Sequence, residues 1–261
     1  MVTKQTIEKN KPLLLLYRLL LPFIDMNKFL ASLTGIFWYI RDLFKYMIKS
    51  KTWLINFNLY PILDEKTKIT GVDYHYLYQQ LWVFNNVNKM KPKNHYDIGS
   101  TYQMSGYIAG ITKAHFIDIR PINADIDNLE LLKGEIEDLP FKDNSLESVS
   151  CLHVIEHIGL GRYGDKLNVN GSEIACKELV RVLKPGGYLY ISVPIGKERV
   201  CFNAHRVFNP KTIIKYCKDL QLIEFNMVDD DGKLFKDLKI QDYQDKDYSL
   251  GMFKFGKKLG S

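Results

Sequence analysis

From residue 94 onward, short β-prone runs alternate with helical stretches, and few folds accommodate that rhythm. Strands are predicted at 94–98 (NHYDI), 114–119 (AHFIDI), 130–133, 146–152 (LESVSCL), 188–193 (YLYISV), 221–227 (QLIEFNM) and 249–256. Helices are predicted at about 103–111, 171–183 and 210–219. Strands separated by helices pair mostly in parallel, because each helix carries the chain back across a face of the sheet. The expected fold is α/β: a doubly wound, Rossmann-like, mostly parallel sheet of seven strands with an N-terminal helical extension. The expected division is 1–93 as a helical extension or lid and 94–261 as the sheet domain.

Length and composition agree with that plan. A chain of 261 residues, 46% hydrophobic and 25% charged, suits one large globular domain with an extension. The four cysteines, Cys151, Cys176, Cys201 and Cys217, form no CxxC pair. Neither a disulfide framework nor a structural zinc site is expected, and a reducing cytoplasmic setting fits.

The net charge of +6 is concentrated at the N-terminus, where residues 1–60 hold nine Lys/Arg against Glu8, Asp25 and Asp42. The apolar run 12–24, PLLLLYRLLLPFI, is broken by Arg18 and closed by Pro22. It is too short to span a bilayer and lacks the cleavage site of a signal peptide. Residues 34–49 predict an amphipathic helix, with Ile36, Phe37, Ile40, Leu43, Phe44, Met47 and Ile48 on one face and Arg41, Asp42, Lys45 and Lys49 on the other. Such a helix can pack on the domain as a lid, the preferred reading, or lie on a membrane surface or a partner. Residues 73–87, DYHYLYQQLWVFNNV, predict an aromatic-rich helix whose Tyr76, Tyr78, Gln79, Gln80 and Trp82 can line a pocket.

The polar chemistry collects at the predicted carboxyl ends of strands, where open α/β sheets bind ligands. Asp97-Ile98-Gly99-Ser100 follows the first strand, and Asp118 ends the second. The turn is not GxGxxG, which argues against a dinucleotide. Gly134-Glu135-Ile136-Glu137-Asp138 follows the third strand. The fourth feeds His153–Asp165, HVIEHIGLGRYGD, which holds two histidines, a glutamate, an arginine and an aspartate among three glycines. Leu183-Lys184-Pro185-Gly186-Gly187 turns into the fifth strand.

Taken together, DIGS, the acid after strand two, GEIEDLPF with its DNS turn, CLHVIEH and LKPGGYLYISVP resemble a class I S-adenosylmethionine-dependent methyltransferase over about 94–256. HYLYQQLW, HYDIGS, DIRP, SVSCLHVIEHIGLGRYGD and FNAHRVF are similar to the DUF268 group of methyltransferase-like proteins. This resemblance implies S-adenosylmethionine as cofactor. Asp97, Gly99 and Ser100 would border its methionine part, and Asp118 its ribose. Ile119, Gly134, Glu135 and Ile136 would surround the adenine, with Cys151, Leu152 and His153 forming the pocket floor. Two positions depart from the broad pattern: Ser100-Thr101-Tyr102 replaces a glycine-rich continuation, and Glu135 stands where Asp is usual. The narrower resemblance implies a sugar or sugar-like acceptor, because such proteins accompany surface-polysaccharide functions.

Methyl transfer to oxygen requires alignment of the reacting atoms and removal of the acceptor proton. His157, beside Glu156, is the expected base, with His205 the other candidate. Arg162, Asn203 and Arg206, with Tyr76 and Gln80, are expected to orient the acceptor, and the arginines suit a phosphate or carboxylate. Glu156, His157, Asp165 and His205 are also candidate metal ligands, but no obligatory metal is expected. The expected partner is a small-molecule or glycan acceptor, with no nucleic acid, and peripheral membrane contact falls to residues 12–50. Competing readings are a nucleic-acid methyltransferase and a non-catalytic methyltransferase-like subunit held to a membrane enzyme.

Overall fold

The computed structural model describes residues 12, 19–20, 25–49, 59–68, 70–120, 122–244 and 246–259. Apart from Pro12, Leu19 and Leu20, the apolar run expected at 12–24 lies outside the described residues. The chain divides into two compact units, Met1–Gly71 and Val72–Ser261. That boundary falls earlier than the expected 93/94.

In the first unit, helix α1 (Met26–Lys49) extends the predicted 34–49 helix toward its N-terminus. The segment 59–68 lies against one side of it. A Cβ added at Gly35 would sit 2.1 Å from the Leu63 carbonyl oxygen, so only glycine permits this approach. Lys66 Nζ pairs with Asp42 Oδ2 at 2.8 Å and lies 4.6 Å over the Trp38 ring.

The second unit opens with α2 (Tyr74–Met90), whose N-cap Asp73 accepts from the Tyr76 N–H at 3.2 Å. Then follow β1 (Asn94–Ile98), α3 (Tyr102–Ala109), β2 (Lys113–Asp118), β3 (Leu129–Lys133) and β4 (Leu146–Leu152). Helix α4 (Gly171–Val182) leads into β5 (Leu183–Ile195), and the short strands β6 (Arg199–Cys201) and β7 (His205–Val207) form a separate hairpin. Helix α5 (Pro210–Tyr216), β8 (Gln221–Val228), β9 (Leu234–Phe235) and β10 (Ser249–Gly256) complete the unit.

The main sheet runs β3-β2-β1-β4-β5-β10-β8-β9. Pairings from β3 through β5 are parallel, and β10 is inserted antiparallel between β5 and β8. All seven predicted strands belong to this doubly wound sheet, and the two-residue β9 makes it eight-stranded. The central strands are buried on both faces, so they read as apolar runs; β4 is buried at every position except Glu147. One core layer gathers Val149, Cys151, Cys176, Leu179 and Ile191, and the other gathers Trp82, Val83, Phe116, Leu152 and Tyr190.

The second layer shows why α2 belongs to the sheet unit. Trp82 meets the edge of the Tyr190 ring at 5.6 Å, and its indole N–H donates to Glu224 Oε1 at 2.9 Å. The buried Gln79 accepts from Ser192 Oγ at 2.5 Å. These contacts hold α2 across β5 and β8, where its first turn reaches the carboxyl ends of the parallel strands.

Candidate active site

The strand order turns outward in both directions from between β1 and β4, which makes a crevice at their carboxyl ends. A cleft opens there. On one side it is lined by Gly99, Ser100, Asp118, Ile119, Gly134 and Ile136, and on the other by Tyr76, Leu152, His153 and His157. These ten residues were all among the predicted site residues. Thr101, Arg120, Val154, Ile158 and Tyr163 also line it and were not.

The β1 side is shaped by backbone. Gly99 has φ +69, a conformation that side chains disfavour, and its N–H donates to the Ile117 carbonyl at 2.8 Å. A Cβ there would press on Val154 at 3.2 Å. Asp97 lies behind the cleft and is fully buried. Its Oδ1 accepts from the Ser100 N–H and its Oδ2 from Ser150 Oγ at 2.5 Å. Burial outweighs these bonds and pushes its carboxyl up to about 7. Ser100 Oγ accepts from the Leu152 N–H at 2.9 Å, stitching the two sides of the crevice together. Asp118 reaches the cleft, with Oδ1 accepting from the Arg120 N–H at 2.7 Å.

Beyond β4 the chain turns abruptly. His153 has φ +54, and a single 3₁₀ turn covers Ile155–His157. His153 Nδ1 lies 2.5 Å from Oε1 of the buried Glu156, and its ring stacks on those of His75 and Tyr76, both at 5.5 Å. His157 Nδ1 is 2.6 Å from the Ala204 carbonyl, which can only accept. The proton therefore sits on Nδ1, leaving Nε2 as the proton-accepting nitrogen, 3.8 Å from Glu156 Oε1. Burial holds the His157 imidazolium below the usual histidine range, against the opposing pull of Glu156 and the Ala204 bond.

The rest of the glycine-rich loop is held by its own polar groups. Asp165 accepts from the N–H groups of Gly159, Gly161 and Tyr163. Gly159, at φ +79, lies so close to Asn168 that a Cβ would meet its carbonyl oxygen at 2.0 Å. The loop tip presents Tyr163, whose ring sits under the guanidinium of Arg120 at 4.7 Å and that of Arg162 at 5.1 Å.

Several expected residues stand elsewhere. Cys151 is fully buried in the core layer against α4, because adjacent strand residues face opposite sides and Leu152 takes the cleft side. Arg206 is buried, and its guanidinium donates to the Ile158 and Asn168 carbonyls and to Ser172 Oγ. Its bonds brace the loop, and it is outside the cleft lining. Gln80 donates to Thr101 Oγ1 at 3.2 Å, so it fixes the start of α3 beside the cleft. Glu135 and Asn203 are exposed and outside the cleft lining. His205 also lies outside that lining, tilted against the Tyr248 ring at 5.1 Å. Glu156 is buried beneath the two loop histidines. Arg162 Nη1 donates to the same Ala204 carbonyl as His157. Among the described residues, no three His, Cys, Asp or Glu side chains converge as metal ligands.

Comparison with known proteins places this architecture. A protein assigned as a sarcosine dimethylglycine methyltransferase from Galdieria sulphuraria superposes with a TM-score of 0.51 at 13% identity, over 70% of this chain and 86% of that one. The N-methyltransferase NodS from Bradyrhizobium japonicum superposes at 0.48, with 12% identity, over 71% and 98%. At such identities the likeness is one of fold. The chain has the class I S-adenosylmethionine-dependent methyltransferase fold. Residues 136–252 match the family model described as "Caenorhabditis protein of unknown function, DUF268". No curated protein matches the chain in sequence.

S-adenosylmethionine is the cofactor expected of this fold, and the residues present fit it. Asp118 offers a carboxylate for a sugar diol, Gly99 leaves room where a side chain would stand, and Ile119 and Ile136 offer apolar contact for a base.

Proposed function

We propose that the protein is an S-adenosylmethionine-dependent methyltransferase that methylates an oxygen of a sugar-like acceptor bearing a phosphate or carboxylate, such as a nucleotide-linked sugar or a phosphorylated precursor of a surface polysaccharide. The observation that supports this most is the pairing, in one cleft, of the Asp118 carboxylate at the end of β2 with a histidine whose Nε2 can take a proton.

When bound, S-adenosylmethionine supplies an electrophilic methyl group on a sulfonium. Gly99, Ser100, Asp118, Ile119 and Ile136 would hold it. His157 acts as the base. Its Nδ1–H is fixed by the Ala204 carbonyl, so its Nε2 accepts the hydroxyl proton of the acceptor. Buried Glu156 stabilises the imidazolium that results. Arg120 and Arg162, stacked on Tyr163 at the cleft, give an anionic acceptor group two cationic contacts. Hydrogen bonds to a sugar fall to Tyr76 and Thr101 at the rim.

The test is a methyl-transfer screen with labelled donor over nucleotide sugars, oligosaccharides and phosphorylated metabolites. The proposal expects transfer to an anionic sugar and loss of at least about a hundredfold in His157→Ala, the usual range for removing a general base. Transfer that survives undiminished in His157→Ala removes the base assignment. Transfer only to uncharged acceptors removes the role given to the arginines.

A further inference from the structure

Helix α1 presents an unusual outer face. At 100° per residue, Phe29, Leu33, Phe37, Ile40, Phe44 and Ile48 fall within an arc of about 100°. All six are exposed, Phe37 at 76% and Ile48 at 78% of their full surface. The opposite side carries Gly35, Trp38 and Asp42, and is the side covered by 59–68. The large apolar residues therefore do not serve the packing that this unit makes for itself. Leaving such a continuous stripe in water is costly for a soluble protein.

Its borders indicate what covers it. Arg41 and Lys45 border the stripe on one side, about 20° and 60° beyond Ile48 around the helix, and both are exposed, as is Lys49 in the last turn. Asp42 is the sole acidic residue of the helix, and it is already engaged by Arg41 and Lys66. The surplus charge of residues 1–60 equals that of the whole chain. A second copy of this chain would bring one basic flank against another. A lipid surface with acidic headgroups would receive both the apolar stripe and the basic residues beside it. Among the described residues no helix is long and apolar enough to cross a membrane, so the contact is one of lying on the surface.

We infer that α1 is an interfacial anchor that docks the protein on an anionic membrane, with Phe29, Leu33, Phe37, Ile40, Phe44 and Ile48 in the acyl boundary and Arg41 and Lys45 at the headgroups. The inference does not depend on the methyl-transfer reading.

Vesicle flotation of the full chain tests it, using phosphatidylcholine alone or mixed with phosphatidylglycerol. The protein is expected to float with the mixed vesicles and not with phosphatidylcholine alone. Each Lys or Arg near such a surface contributes about fivefold in partitioning, so Arg41→Glu/Lys45→Glu should lower binding by more than about twentyfold. Phe37→Glu/Phe44→Glu should abolish it, with circular dichroism and S-adenosylhomocysteine binding unchanged. Absence of flotation, or flotation that both double variants retain, overturns the inference. So does a wild-type dimer, seen by light scattering without vesicle binding, that Phe37→Glu/Phe44→Glu converts to monomer; the face would then belong to a second copy.

Discussion

Nδ1 of His153 lies 2.5 Å from Oε1 of Glu156, three residues on and almost wholly buried. The pair closes the sharp turn that follows β4, where His153 takes a left-handed backbone conformation that side chains disfavour. Glu156 thus supports one histidine by direct contact and faces the other, His157, at 3.8 Å.

Removing Glu156 should therefore unmake the turn. Glu156→Ala leaves the buried His153 Nδ1 without its partner, at a cost of about 3 kcal/mol. Glu156→Gln keeps an acceptor and should cost less than half of that. Urea denaturation of the two variants checks the order, and equal losses would mean that the hydrogen bond contributes little.

The pH dependence of methyl transfer should report His157. Burial lowers its imidazolium below the ordinary value of about 6.5, and Glu156 opposes that shift. The acid limb of kcat/KM is expected below the ordinary histidine range. In Glu156→Gln it should move further toward acid, because the carboxylate that favours the imidazolium is gone.

Asp97 makes a stability prediction of its own. Burial raises its folded-state value to about 7, so the folded protein prefers the protonated carboxyl. The stability tied to that proton is full below the unfolded value of about 3.9 and is lost as pH rises through about 7. Asp97→Asn removes the titration. Its stability relative to wild type should improve steadily from pH 4 to pH 7 in urea melts of the ligand-free protein.

Gly159→Ala should collapse the loop. A Cβ would meet the Asn168 carbonyl at 2.0 Å, and the φ of +79 is itself strained for alanine. The Asp165 bonds to Gly159, Gly161 and Tyr163 would be disturbed together. Cofactor binding measured by calorimetry should persist, because Asp118 and Gly99 lie on the opposite side, while acceptor turnover should fall at least about tenfold.

Much of this fold is written locally. Each of the seven long strands is a short β-prone run bounded by turn residues, and the periodicity finds them. The eighth, Leu234–Phe235, is two residues long and leaves no periodic trace. The β6–β7 hairpin was hidden because FNAHRVF reads as a polar motif. The unit boundary was illegible for another reason: α2 joins the sheet through Trp82 and Glu224, which stand 142 residues apart. Cleft residues at strand ends were legible because sheet topology fixes where strands end. Alternation along β4 could have separated Cys151 from Leu152, but the position of Arg206 depends on carbonyls contributed by a loop 48 residues away. Arg120 and Tyr163 became visible only when folding stacked them.

All that is proposed for the cleft rests on S-adenosylmethionine binding between β1 and β4 through Asp118. Titration calorimetry with S-adenosylhomocysteine, on wild type and Asp118→Ala, tests it most directly. One site per chain is expected in the wild type, with at least about tenfold weaker binding in the variant, since a carboxylate hydrogen bond contributes about 1.5–3 kcal/mol. The variant's melting temperature should be unchanged without ligand. No binding to the wild type, or equal binding to both proteins, would overturn the role given to Asp118 and the crevice.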